Sequence, residues 1–239
     1  MGLRLGAWMR FAVLLIKPAL LAFTRTRWSG EDNVPPGGVI LAANHISHAD
    51  PLTFCDWILF GLRRKPHFLA KSTLFKRRTL VGAVMRGADQ IPVHRGTADA
   101  SLALRDAVAA LQAGKVVAIY PEGTVSRDPD KWPMVARTGV ARLALLSGAP
   151  VVPVAQWGAQ DILDSYRSKG LHLLPPKRST VRAFPPVDLS GYQGKELTAD
   201  VLRAATADIM AAITAGVAEL RGETPPAVAF DPSQHRSVA

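Results

Sequence analysis

The stretch "LAANHISHADP", residues 41–51, sets His45, His48 and Asp50 close together. Three kinds of chemistry use such residues. The first is metal binding. A catalytic zinc site takes about three protein ligands and an outer layer of hydrogen-bonding partners. Here the histidines are three apart and no histidine follows Asp50. The remaining histidines, His67, His94, His172 and His235, pair with no carboxylate-rich cluster, so no metal is expected. The second is a plain helix start, with Asp50 as N-cap and Pro51 at the first helical position. The third is proton transfer. If the chain curls between a strand end and a helix start, Asp50 meets the His45 imidazole. The carboxylate then fixes the tautomer and stabilises the imidazolium, and the other ring nitrogen takes a proton from a hydroxyl. Taken alone, the stretch favours the plain helix start, which does not exclude the proton-transfer role because a carboxylate has two oxygens.

The elements around these residues suit a site at a strand end. "GVILAAN" (38–44) is an apolar run of strand length directly before His45. "PLTFCDWILFGL" (51–62) is apolar on nearly every side, as in a helix that is deeply buried or faces lipid. "PHFLA" and the start of "IPVHR" read as short strands, with "KSTLFKRRTLVGAVMRG" helical between them. A helix from Thr97 to Leu111 has Leu104, Val108 and Leu111 at helical spacing, and Gly114 is placed to end it. "KVVAIYPEGT" is a strand and tight turn. A helix over about 136–147, the strand "APVVPVAQW", the strand "STVRAFPPVDL" and a helix over about 197–220 follow. Helix and strand alternating with short connections predicts an α/β fold with a mostly parallel central sheet flanked by helices. In such sheets, sites gather beyond the carboxyl ends of the strands.

The 239 residues carry a net charge of +10, and 48% of them are hydrophobic. That supplies a full core and a surface suited to a polyanion. Aromatic-interleaved basic stretches are not apparent, so the expected partner is an anionic membrane surface and not nucleic acid. Residues 1–30 read as an interfacial helical element. Arg10, Lys17 and Pro18 interrupt the apolar run before it reaches spanning length. Arg10 and Lys17 would share one face, beside Trp8, Phe11, Leu14, Leu15, Leu20 and Leu21. No small-residue cleavage site follows the run, so a signal peptide is not expected. Residues 31–221 form the α/β domain, and the Pro-rich residues 222–239 are expected to be a mobile tail. The lone Cys55 leaves no internal disulfide and reads as a structural thiol.

Four blocks in order carry a resemblance: "NHISHAD", "QIPVHRG", "YPEGTVSR" and "APVVPVA". With their spacing they resemble the 1-acylglycerol-3-phosphate acyltransferases and the wider glycerophospholipid acyltransferase family, over roughly residues 25–190. The resemblance implies transfer of a fatty acyl group from an acyl-CoA or acyl-carrier-protein thioester to a hydroxyl of lysophosphatidate, with glycerol 3-phosphate as the alternative acceptor. It implies no cofactor beyond that co-substrate. His45 would be the general base, oriented by Asp50. Arg95 would bind the acceptor's phosphate, with Lys71 steering it. Glu122, Gly123 and Thr124 would shape the acceptor site, Glu122 by touching a hydroxyl or by holding the loop. Val125 stands where the third block commonly has arginine, and Arg127, two residues on, would compensate. The enzyme would sit at the cytoplasmic face of the cell membrane, monotopic or peripheral. A thioesterase and a non-enzymatic basic lipid-binding protein are the alternatives.

Overall fold

Every residue of the run 39–43 is buried, and strand alternation divides it between two cores. Val39, Leu41 and Ala43 face one side, with Phe54, Trp57 and Ile58. Ile40 and Ala42 face the other, with Ala107, Leu143 and Ile209. Burial on both faces is why this strand reads as an unbroken apolar run. The computed structural model describes residues 5–94, 100–166 and 170–234. Along the chain these form α1 (Ala7–Phe23), β1 (Thr24–Ser29), β2 (Val39–Ala43), α2 (Asp50–Asp56), β3 (Pro66–Lys71), α3 (Leu80–Gly87), β4 (Ile91–Val93), α4 (Ala100–Gln112), β5 (Val116–Ile119), α5 (Gly139–Ser147), β6 (Val151–Trp157), β7 (Lys177–Ala183) and α6 (Ala199–Arg221).

The seven strands make one sheet in the order β1-β7-β6-β2-β5-β3-β4. All neighbours are parallel except β6 and β7. The expected α/β fold with a mostly parallel sheet is therefore what the chain adopts. Its central strands β2, β5 and β6 run side by side, so the loops after them meet at one edge. A π-helical turn, Trp57–Gly61, extends α2 and completes the apolar segment that covers one face. Burial, with Asp56 adjacent, pushes the Cys55 thiol up to about 12, which suits packing and not nucleophilic chemistry. On α4 the fully buried positions are Ala103, Ala107, Ala110 and Leu111, while Leu104 and Val108 are only partly buried. The face against the sheet is thus made of three small alanines that allow close approach, together with Leu111, while Leu104 and Val108 stand at its margin. α6 is long and apolar enough to cross a membrane by composition, yet its stripe Leu202, Ile209, Ile213 and Val217 is buried in the domain.

Several local expectations change. Residues 24–29 belong to the sheet and not to an N-terminal helical element: they pair in parallel with β7. The Thr24 hydroxyl donates to the Leu20 carbonyl as α1 ends. Residues 71–87 are not one helix. A 3-10 turn covers Ser72–Phe75, and Thr79 then caps α3 by accepting from the Gly82 amide. The segment after α6 docks where Phe230 O accepts from the Val135 amide. Most importantly, Lys17 is not on an outward basic stripe with Arg10. It turns inward and donates to both oxygens of the buried Asp56, at 2.8 and 2.9 Å. Its ammonium also lies 4.4 Å from the Phe60 ring centroid. Burial pushes the Asp56 carboxyl up and Lys17 pulls it back down, with the net shift upward. This pair fastens α1 to α2. The inner side of α1 carries Met9 and Leu20, and its outer side exposes Trp8, Phe11, Leu14, Leu15 and Leu21.

Candidate active site

β2 ends in Ala43, and the next two residues open the site. Asn44 is fully buried and fastens this strand end to β6. Its Nδ2 donates to Gln156 O, its Oδ1 accepts from Gln156 N, and its own carbonyl accepts from Gln156 Nε2. A side chain here does the work of a ladder of backbone bonds and fixes where His45 begins.

His45 is held from every side. Its amide donates to Glu122 Oε1 at 2.9 Å, and its carbonyl accepts from the Ser126 amide at 2.6 Å. The ring stacks on Tyr120 with centroids 4.2 Å apart and an interplanar angle of 18°. Nδ1 lies 2.9 Å from Asp50 Oδ2. An ionised Asp50 accepts at that contact, which places the proton on Nδ1 and leaves Nε2 as the acceptor. The His45 side chain is 13% exposed and that of Asp50 0%.

Asp50 departs from its expected N-cap place. Ala49 is the N-cap, and Asp50 is the first residue of α2. Its Oδ2 reaches back to the amides of Ile46 (2.6 Å) and Ser47 (2.8 Å) as well as to His45. The carboxylate thus curls residues 45–50 into a tight loop and presents the imidazole from it. The Ser47 hydroxyl accepts from the Ala49 amide and donates to Leu163 O, joining this loop to the chain after β6. His48 is exposed, its ring centroid 6.3 Å from that of His45. Among the described residues, no three His, Cys, Asp or Glu side chains gather as metal ligands would.

The turn after β5 supplies the floor. Gly123 has φ +72 and donates its amide to Tyr120 O, a backbone conformation that glycine adopts without strain. Glu122 is buried and uses both oxygens on backbone amides, those of His45 and Met134, each at 2.9 Å. Burial pushes its carboxyl up to about 8 against the pull of those two amides, and the charges of Asp50 and Asp128 add to the rise. Burial, then Asp50, likewise holds the Tyr120 phenol well above its usual value, so it stays neutral.

Of the residues singled out in the sequence, His45, Asp50 and Glu122 come together directly, with Gly123 and Thr124 in the same turn. Lys71 ends β3 exposed, and Arg127 is exposed just after the turn. Neither makes a polar contact with His45 or Asp50 among the described residues. Val125 is buried and its carbonyl accepts from the Tyr166 hydroxyl. Arg95 lies outside the described residues.

Sequence reasoning passed over Asn44, Gln156, Tyr120, Ser126 and Met134. The signal for the first two was a buried-type amide at the end of each of two apolar runs. The loop after the turn is braced further by Arg221, whose guanidinium lies 4.0 Å from the Trp132 ring centroid and 4.4 Å from that of Trp157. Beside His48 and Ala49 opens an apolar cavity of about 420 Å³ between α1 and Ile162, Leu163, Leu171 and Leu173, lined also by Ile16, Phe23 and Leu52.

Known proteins resemble this chain in sequence and in fold. The 1-acyl-sn-glycerol-3-phosphate acyltransferase of Borreliella burgdorferi is 27% identical over 183 residues, which cover 71% of this chain and 66% of that relative's length. The crystal structure of the 1-acyl-sn-glycerophosphate (LPA) acyltransferase from Thermotoga maritima has the same fold, with a TM-score of 0.63 and 23% identity over 88% of this chain and 78% of that one. A family model described as Acyltransferase matches residues 25–157. That match takes in more than half of the chain, from β1 to the end of β6 and including His45, Asp50 and Glu122, and the chain belongs to the acyltransferase family.

Proposed function

We propose that the protein is an O-acyltransferase that moves a fatty acyl group from an acyl-CoA or acyl-carrier-protein thioester to the free hydroxyl of 1-acylglycerol 3-phosphate, in phospholipid synthesis. The observation that carries this reading is the His45 Nδ1–Asp50 Oδ2 contact of 2.9 Å at the carboxyl end of a central strand. Family membership and the name of the Borreliella relative support the acyl and acceptor classes. In the reaction, His45 Nε2 takes the proton of the acceptor hydroxyl as its oxygen attacks the thioester carbonyl. The resulting imidazolium is stabilised by Asp50 and by the face of Tyr120. Collapse of the tetrahedral intermediate breaks the C–S bond, and the imidazolium returns its proton to the leaving thiolate. No acyl-enzyme is needed. Glu122 holds the loop, and on the strength of the resemblance Arg95 takes the acceptor's phosphate with Lys71 steering it, Gly123 and Thr124 shape the acceptor site, and Arg127 compensates for the arginine missing at Val125.

The test is the acceptor dependence of thiol release. Release from either donor should require lysophosphatidate, and mapping of the product against glycerol 3-phosphate identifies the acceptor. Thiol release that ignores both acceptors would make the protein a thioesterase.

The cavity between α1 and Ile162, Leu163, Leu171 and Leu173 is assigned to an acyl chain, because it is apolar and opens beside the loop that carries His45 and Asp50. Ala19 lines it from α1. Ala19→Trp should lower kcat/KM for long-chain donors relative to short-chain ones by about tenfold or more. An unchanged ratio would remove the assignment. The outer apolar side of α1 lies against the cytoplasmic face of the membrane, in the manner of an interfacial helix. The cavity then opens toward the layer that holds acceptor and product.

A further inference from the structure

Residues 74–81 carry a surface to which the reaction proposed above gives no role. From Lys76 to Val81 every residue is exposed. Leu80 and Val81 are 57% and 55% exposed, and Leu74 is 44% exposed. Single exposed aliphatic side chains are ordinary, but a cluster of them rimmed by charge marks an interaction surface. Among the described residues, Lys76, Arg77 and Arg78 have no acidic partner within ion-pair distance.

The loop is also rigidly built. Arg86 reaches back from α3 and donates to the carbonyls of Phe75 (2.6 Å) and Arg77 (3.4 Å). Gly82 lies so close to the Lys76 carbonyl that a Cβ there would stand 1.9 Å from its oxygen. With its backbone fixed, the loop presents its cations without a large ordering cost on binding. α3 packs beside α1, where Gly87 meets the Trp8 ring. The loop stands at the other end of α3, about 12 Å away by helical rise.

α1 is poorly equipped to recognise anionic lipid, because Lys17 is withdrawn to Asp56 and Arg10 is left facing outward. We propose that the 74–81 loop is a second membrane contact. In it Leu74, Leu80 and Val81 enter the boundary of headgroups and acyl chains, and Lys76, Arg77 and Arg78 bind the phosphates of anionic phospholipids. This rests on the reading of the protein as an enzyme of the membrane surface. A single interfacial helix leaves the domain free to roll about the helix axis. The second contact stops the roll.

The test uses the full chain and sedimentation with two kinds of vesicle, phosphatidylcholine alone and phosphatidylcholine mixed with phosphatidylglycerol. Each cation near an anionic surface is worth about fivefold in partitioning. The triple variant Lys76→Ser, Arg77→Ser, Arg78→Ser should therefore bind the mixed vesicles about 100-fold more weakly than wild type. Binding to phosphatidylcholine alone, and turnover on a short-chain, water-soluble lysophosphatidate, should not change. Leu80→Ser with Val81→Ser should weaken binding to both kinds of vesicle. Equal binding of wild type and triple variant to the mixed vesicles would overturn the proposal, as would equal losses on both kinds. If wild type binds neither vesicle, the membrane reading falls with it, while turnover on the soluble acceptor reports on acyl transfer separately.

Discussion

His45→Ala is expected to lower kcat/KM for acyl transfer by about 10²–10⁴-fold, the usual contribution of a positioned general base. Fold and vesicle binding should persist, for reasons that the contacts supply. The bonds from the His45 backbone to Glu122 and Ser126 do not involve its side chain. Without the imidazole, Asp50 Oδ2 still accepts from the amides of Ile46 and Ser47, so the loop keeps its form. Asp50→Asn separates charge from shape. All three donors converge on one oxygen, which an amide carbonyl can replace, so the His45 tautomer and loop are kept. The negative charge that stabilises the imidazolium is lost. Turnover of Asp50→Asn should therefore fall between wild type and His45→Ala. Thiol release with both donors and saturating lysophosphatidate measures this, with circular dichroism to check the fold. Near-normal turnover of His45→Ala would exclude the general-base role.

The order of helices and strands could be read from periodicity because each element is local. The contact of His45 with Asp50 was legible for the same reason: five residues separate them, and a strand end and a helix start bound the loop between. What could not be read are the contacts that join distant segments. β1 lies beside β7, a pairing of residues 24–29 with residues 177–182 that no local pattern announces. The zipping of Asn44 to Gln156 spans 112 positions. Lys17 looked like a membrane-facing cation because helical spacing places it in line with Arg10. Its real partner, Asp56, lies on a different helix, and helical geometry cannot reveal a neighbour across an interface. On α4 Ala103, Ala107 and Ala110 share the buried face with Leu111, while Leu104 and Val108 are left partly buried, since close approach to the sheet favours small side chains. The division has a physical basis. Propensity and periodicity fix elements, but the partner of a buried polar group depends on sheet order, which only the assembled fold decides.

Glu122 shows how much of the site rests on such a long-range contact, and Glu122→Gln should reveal it in both stability and rate. The carboxyl joins His45 to Met134 through two amides. A glutamine oxygen can accept from one of them, but its NH₂ then faces the other N–H. A buried donor left without an acceptor costs about 1–3 kcal/mol. The wild-type group also titrates between its two states. Its value is 4.5 when unfolded and about 8 when folded, so in that interval the folded protein holds a proton that the unfolded chain has released. Stability from this group is thus complete below about pH 4.5 and is lost as pH rises toward 8, by at most about 1.4 kcal/mol per pH unit. Glutamine has no such titration. In urea unfolding, the variant should be the less stable protein near pH 5, and the gap should narrow steadily toward pH 8. Other titrating groups cancel in the difference, so parallel curves for the two proteins would contradict the raised value. Turnover should fall as well, by up to about 10²-fold for a displacement near 1 Å. The loss should appear in kcat more than in KM, because the tether acts on the backbone of the base and not on the bound acceptor.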